Sequence, residues 1–543
     1  MTAAVIQALL AVVAGAVLFM LWRLAAPRDP RLRLIVAAGF LARAIGGQLL
    51  FWISWAELPF ARSLQYGRGL WFFALDAMLY VPPALAAVRR GVWAMLTVPP
   101  SVPSSMYVKV LAVAMALLGE AMSVALVVNL FSFLALVAIV VRWDAAPRVK
   151  AVAIAVASLT PSFILWSFQP LKDAFFQLLF VAFIAACALW LRACTARAYA
   201  VAGALLTALL YAISAIRWYA GFAMLVVVLL LLVVTVVRAE RRGAALIASL
   251  LLLLALRTAV VAGSGPRLAT SMATLLVARN PAAPQLSLAD DAMIVRERFE
   301  RSQGSTAIAP GTALQAPAAP RSNAGITPAE IVEIRRSIDA SAAQWSRGAE
   351  RSGAGALRVT GVRIAPIGPG SVDADVRWEM RGADGAMRRG TFVTTLRRRP
   401  DGGWQALKVA SEHKAAAPKT HLARLLSGTA VMLLPQAIGQ RLGLFEVGGG
   451  RGLLWFTDLD TILFDALLLF TIVCIAKNFR TARREPLFWC ALLITLFIGG
   501  PIAYSIANWG TLFRLRGMIY MGLVCTTLTA ARPRLLTAPV DRA

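Results

Sequence analysis

The sequence predicts an α-helical polytopic membrane protein of about 11–13 transmembrane helices, with a small α+β insertion on the extracytoplasmic side. Three observations predict it. Apolar residues make up 59% of the 543-residue chain and its mean hydropathy is +0.72, well above a soluble domain. Many stretches reach the roughly 20 apolar residues that cross a hydrocarbon core. One long polar stretch, residues 263–420, interrupts them. The net charge of +28 sits in short basic clusters between apolar segments, which is the pattern of the positive-inside bias and of attraction to anionic headgroups of membrane lipids. That distribution argues against nucleic acid as a partner. The cysteines, Cys187, Cys194, Cys474, Cys490 and Cys525, lie in or beside apolar segments without metal-ligand spacing and read as small core residues.

Residues 1–262 form an N-terminal membrane domain. Thr2–Trp22 reads as a retained first span, and Arg23, Arg28, Arg31 and Arg33 behind it put that loop in the cytoplasm and the N-terminus outside. Leu34–Trp55 is the second span, with Arg43 inside it, where a charge needs a partner or a wet cavity. The first extracytoplasmic loop, 56–106, is broken by prolines. Whether 70–88 and 107–121 cross the membrane is left open by the sequence. Further spans are expected at Ser123–Val141, Val149–Phe168, Ala174–Leu191, Tyr199–Ile216, Ala220–Val237 and Ala244–Val261. The basic loops at Arg142/Arg148/Lys150, Arg192/Arg197 and Arg238/Arg241/Arg242 alternate with loops predicted to face outward, which places Lys172, Asp173, Arg217 and Tyr219 on one side.

Residues 263–326 read as a linker region, rich in Ala, Pro, Gly and Ser from Ser302 to Gly325, and 327–420 as the folded insertion. The whole polar stretch carries 19 Arg and 3 Lys against 14 acidic residues, but long domains translocate largely regardless of charge. Thr327-Pro328-Ala329-Glu330 is a capping box, and Ile331, Ile334 and Ile338 follow at helical spacing. From Val372 to Arg381 apolar and polar residues alternate as in a half-buried strand. Turn signals at Ala383-Asp384-Gly385 and Pro400-Asp401-Gly402-Gly403 separate it from Gly390–Arg398 and Trp404–Ser411, predicting a three-stranded antiparallel meander. This helix and meander resemble cone-shaped domains of the nuclear-transport-factor-2-like type, over 327–413. His413 and His421 lack metal-spaced partners, so a docking or lid role is expected, with Arg397-Arg398-Arg399 as a solvated edge or a contact for an anionic glycan.

Residues 421–543 form the C-terminal membrane domain, with spans at Thr461–Ala476, Leu487–Ser505 and Met518–Ala530, Asn508–Arg516 outside and the C-terminus inside.

Several outward elements share a pattern. They are Pro161…Trp166-Ser167…Lys172-Asp173, Arg217-Trp218-Tyr219, the run Asn508 to Arg516, and Leu75-Asp76-Ala77-Met78-Leu79-Tyr80. Together they resemble polytopic glycosyltransferases of the GT-C type and the related membrane polysaccharide polymerases. That resemblance implies a polyprenyl-phosphate-linked sugar donor, an extracytoplasmic glycan, lipid or protein acceptor, and an acidic base in the first outer loop. Asp76 is the first candidate and Glu57 the second. A lipid-linked donor needs cations for its phosphate at the outer interface. Lys172, Arg217, Arg514 and Arg516 supply them, with Asp173, Tyr219 and Asn508 beside them. Asp458 and Asp460 offer a site for the acceptor or a divalent cation, with helix N-capping as the alternative. No motif specifies a cofactor, and the acidic pair of many GT-C members is not evident near the end of the second span, which leaves metal dependence open. Arg-, Ala- and Pro-rich usage points to a high-GC bacterial source and so to its inner (cytoplasmic) membrane. Two other readings stand beside the first: a polymerase or ligase of lipid-linked oligosaccharide, and a non-enzymatic transporter or assembly scaffold whose external domain recruits a partner.

Overall fold

The computed structural model describes residues 2–61, 65–67, 69–71, 74, 76–100, 102–238, 242–264, 330–339, 358–368, 371–381, 387–398, 404–409, 421–435, 437–438, 451–505 and 509–531. They fall into two compact units, one from residues 1–295 with 418–543 and one from 296–417.

The larger unit is helical. Its N-terminal part runs α1 (Thr2–Ala25), α2 (Pro30–Trp55), a two-stranded ribbon β1 (Gln65–Gly67) and β2 (Leu70–Trp71), α3 (Ala77–Arg90), α4 (Val92–Leu96) and α5 (Ser105–Leu118). Next come α6 (Val124–Arg142), α7 (Pro147–Leu159), α8 (Pro161–Ser167), α9 (Asp173–Arg192), α10 (Ala196–Ile216), α11 (Trp218–Arg238) and α12 (Arg242–Ser264). Among the described residues nine helices are long and apolar enough to cross a membrane, or ten if the bent pair α7–α8 is one span. The chain is thus an α-helical polytopic protein. The open segments at 70–88 and 107–121 become α3 and α5, of 14 residues each. At 1.5 Å per residue each is about 21 Å long, short of a core of about 30 Å.

Local chemistry sets the ends. Asp29 accepts from the Arg31 amide at 2.8 Å with Pro30 in the first turn of α2, and Thr195 caps α10 through the Ala198 amide at 3.2 Å. Asp173 in the first turn of α9 and Arg192 in its last both complement the helix dipole.

The expected span Val149–Phe168 is broken by 43° between α7 and α8. Pro161 has no N–H to give the Ala157 carbonyl, and the Ser162 N–H donates to Asp460 Oδ1 at 3.0 Å instead of to Ser158. Two carbonyls are thereby released inside an apolar bundle, where each must find a donor. Arg43 is that donor: its guanidinium reaches Ser158 O at 2.7 Å, Ala157 O at 3.0 Å and Gly39 O at 2.8 Å, and lies 4.2 Å from the centre of the Phe133 ring. The intramembrane arginine therefore has the partners its position requires. Gly39 permits the approach, since a Cβ there would sit 2.6 Å from Ser158 O.

The smaller unit contains α13 (residues 330–339) and a sheet of order β3-β4-β5-β6: β3 (Arg358–Gly368), β4 (Ser371–Arg381), β5 (Met387–Arg398) and β6 (Trp404–Val409). All neighbouring pairs are antiparallel. The meander thus has four strands where the sequence reading had three. β3 was missed because Gly361, Pro366 and Gly368 obscure its alternation. Ile334 and Ile338 are buried, whereas Ile331 is exposed, so the apolar stripe of α13 is narrower than its spacing implied. The linker 302–325, the capping residues Thr327 and Pro328, Arg399 and His413 lie outside the described residues.

The larger unit resumes with α14 (His421–Leu433), α15 (Arg451–Ala482), α16 (Pro486–Ser505) and α17 (Trp509–Ala530). α17 is 22 residues long but more polar than the nine spans, carrying Arg514, Arg516 and several threonines. Those threonines fasten it: Thr527 meets Thr471 of α15 at 2.9 Å and Thr526 meets Thr495 of α16 at 3.4 Å. Close approach through small residues and interhelical hydrogen bonds is how helices associate in an apolar solvent.

Candidate functional site

At one end of the bundle four separate parts of the chain bring their charges together. Asp76 stands at the start of α3, Lys172 and Asp173 at the start of α9, Arg217 between α10 and α11, and Arg514 in the second turn of α17. Arg514 is the bridge. It forms an ion pair with Asp76 and reaches Asp173 Oδ2 through Nε at 2.8 Å and Nη2 at 2.7 Å. Arg217 pairs with the other oxygen of Asp173, and its Nη1 also reaches Tyr219 Oη at 3.2 Å and Met518 Sδ at 3.3 Å. The Arg217–Asp173–Arg514–Asp76 chain is graded in exposure. The Asp173 side chain is 6% exposed and Arg514 14%, whereas Asp76 is 38% exposed.

Lys172 stands apart from this chain. Among the described residues it makes no ion pair within 4.0 Å; its Nζ donates to Ser104 Oγ at 2.7 Å and lies 5.3 Å from the Tyr80 ring centre. Aromatic faces flank the arginines as well: Arg514 lies 5.8 Å from the Trp166 ring and Arg217 5.0 Å from Phe176. Such faces hold cations without neutralising them.

Three cations face two carboxylates, and the balance shows in the proton affinities. Burial alone would push the Asp76 carboxyl up, but the charges of Arg514, Lys172 and Arg217 outweigh it and hold the group below the usual carboxylate range. Burial lowers Lys172, and the positive charges of Arg217 and Arg514 add to it, bringing the amine to about 7.

The bent span aims this site. Asn129 of α6 donates to the Ser167 and Gln169 carbonyls, both at 2.9 Å, and Gln169 Nε2 donates to Gly69 O at 3.3 Å, so the 168–172 turn is tied to α6 and to the ribbon. Ser104, in left-handed backbone with φ of 55°, bonds the Ile216 carbonyl at 3.3 Å while accepting from Lys172. Neither Asn129 nor Ser104 was found from sequence. A lone Asn in an apolar span was the available signal for the first; the second carried none.

Other sequence candidates lie elsewhere. Arg514 and Arg516 are two positions apart, about 200° around the helix, so only the first reaches the cluster. Arg516 is fully buried on the opposite side, with Nη1 2.8 Å from Thr461 Oγ1 and 3.7 Å from Asp460 Oδ2, and Nη2 2.7 Å from the Met432 carbonyl. Asp460 is equally buried and serves the Ser162 amide. Asp458 accepts from the Ala437 amide at 3.2 Å. Glu57 is exposed beyond α2, in left-handed backbone, and pairs with no cation among the described residues. Asn508 lies outside the described residues.

Among the described residues no three His, Cys, Asp or Glu side chains come together as a metal-binding group. A groove of about 1730 Å³ between α10 and α12 is lined mainly by alanine, leucine and small polar residues and includes none of the charged cluster. The groove and the charged cluster are therefore separate places on the molecule. Compared with known proteins, the chain matches no protein-family model, no curated protein and no solved structure.

Proposed function

We propose that the chain is a membrane glycosyltransferase that moves a sugar from a polyprenyl-phosphate-linked donor to an extracytoplasmic glycan, lipid or protein acceptor. The observation that carries this reading is the convergence of Asp76, Lys172, Asp173, Arg217 and Arg514 from four parts of the chain at one end of an apolar bundle. The basic loops assign that end to the outer face of a bacterial inner membrane, with the insertion on the same side and the C-terminus inside. Residues 330–409 then serve docking of acceptor or partner.

Each group has a role in this reading. Lys172 and Arg514 hold the donor phosphate and stabilise the charge that develops as the sugar–phosphate bond breaks. Asp173, almost wholly buried, fixes the two arginines. Asp76, the more exposed carboxylate, takes the proton of the attacking acceptor hydroxyl, giving inversion by direct displacement. Glu57, exposed and in no ion pair among the described residues, is the second candidate for that base.

The test is transfer from a lipid-linked sugar by purified protein in lipid nanodiscs. Asp76→Asn is expected to lower the rate by about 10²–10⁴-fold, and Glu57→Gln to leave it near that of the parent. Full transfer by Asp76→Asn would remove the mechanism.

Lys172 adds a pH signature. A phosphodiester-linked donor keeps one charge across neutrality, so any change in affinity there comes from the protein. Anion binding favours the protonated amine, whose pKa is about 7. Donor affinity should therefore strengthen as pH falls through about 7 and weaken above it. Lys172→Met is expected to bind more weakly and to flatten that profile, measured as donor Kd between about pH 6 and 8.

A further inference from the structure

We infer that Asp76 occupies the anion site itself, so that a phosphate group binds by displacing the Asp76 carboxylate from Arg514 and in doing so frees that carboxylate to act as the base. The inference rests on reading the cluster as a phosphate site and says how that site is opened.

Arg514 faces two carboxylates of unequal standing. Asp173 takes Nε and Nη2 within 2.8 Å and shares its other oxygen with Arg217, and it is nearly inaccessible. Asp76 holds only Nη1 and is 38% exposed. A guanidinium presents its donors in a planar fork that fits a phosphate as well as a carboxylate. An incoming phosphate meets Asp76 first, because that is the side open to solvent. Lys172, carrying no ion pair among the described residues and held by Ser104 and the Tyr80 face, supplies a second cation to the same cluster. Asp173 stays bonded to both arginines, so the exchange leaves the buried part of the network unchanged.

The exchange balances charge. Before it, Arg514 is paired with both Asp173 and Asp76; afterwards a phosphate oxygen takes the place of Asp76 and that carboxylate is released. Its proton affinity then rises toward an ordinary carboxylate, since the Arg514 charge that depressed it is engaged elsewhere. No bond to oxygen is broken in this step, so neither an oxidant nor a co-reactant is needed. Donor binding and activation of the acceptor hydroxyl become one event, and an enzyme without donor keeps its base disarmed.

The experiment is calorimetric titration of the full-length protein in detergent, in two arms: farnesyl phosphate, a lipid-borne phosphate, and inorganic phosphate. Asp76→Asn is expected to bind farnesyl phosphate about tenfold more tightly than the parent, because an internal competitor has been removed, while losing transfer. Asp76→Ser gives the same direction through a shorter side chain. Binding of both probes would mark a site for phosphate in general, and of farnesyl phosphate alone a site for a lipid headgroup; the gain in the variants is required in either case. Parent binding with equal or weaker binding by both variants would overturn the inference and leave the phosphate site standing, with Asp76 as its scaffold. No binding by parent or variants would overturn both.

Discussion

Arg514→Gln is expected to abolish transfer and to lower the stability of the membrane domain by about 3 kcal/mol, the low end of the cost of breaking a buried ion pair. Among the described residues Arg514 alone joins Asp76 to Asp173, and two of its nitrogens lie within 2.8 Å of one Asp173 oxygen. Glutamine leaves Asp173 with Arg217 as its remaining arginine and Asp76 without a paired cation. The loss of activity and the loss of stability separate in a double variant. Asp76→Asn with Arg514→Gln removes one charge of each sign and leaves the buried Arg217–Asp173 pair intact, so unfolding should return most of the way to that of the parent while transfer stays absent. Arg514→Lys keeps the charge but not the fork, and an intermediate rate is expected. Thermal unfolding in detergent and transfer in nanodiscs read the two quantities. A stable, active Arg514→Gln protein would show that the cluster is neither structural nor chemical.

The second large effect is expected at Arg43, far from the charged cluster in sequence. Its guanidinium, 3% exposed, is the donor for the Ala157 and Ser158 carbonyls at the α7–α8 break. Methionine fits the apolar surroundings and removes no counter-charge, yet it strands two carbonyls where water is scarce. Each unsatisfied buried acceptor costs about 1–3 kcal/mol, so Arg43→Met is expected to lose about 2–6 kcal/mol and much of its yield in the membrane fraction. Arg43→Lys restores part of it, since an ammonium donates in several directions. Yield and unfolding temperature equal to the parent's would mean that the break closes on its own. Transfer by whatever Arg43→Met protein folds should also fall, because the turn that presents Lys172 leaves directly from α8.

Much of the helical plan was legible in the sequence because bilayer-crossing segments announce themselves by length and hydropathy. α6, α9, α10, α11 and α16 overlie the segments read as spans to within a few residues. Parity of the basic loops likewise put Lys172, Asp173, Arg217 and Tyr219 at one end. What hydropathy does not carry is the direction of a side chain around its helix. Arg514 and Arg516 looked equivalent as neighbouring cations, but their two-residue separation sends one to the cluster and the other into a buried pair with Asp460. Asp458 and Asp460 were read together for the same reason and hold different partners. The break at Pro161 was hidden because both halves of the span are apolar, and proline at a helix start is unremarkable on sequence grounds. β3 was lost to its glycines and proline, and Ser104 to the prolines around it, since each blurs the periodicity on which assignment depends.

The Ser162–Asp460 bond has a consequence for how the protein is made. Its two ends are 298 residues apart, with the polar insertion between them in sequence. During synthesis the N-terminal helices enter the bilayer long before the residue that completes the broken one has left the ribosome. Until α15 is made, the Ser162 amide lacks the Asp460 carboxylate that accepts from it in the folded chain, and the first half alone is expected to be the less stable for it. The two halves are thus mutually dependent parts divided at the insertion. They should survive as separately expressed fragments when produced together, and the N-terminal fragment should be cleared when produced alone.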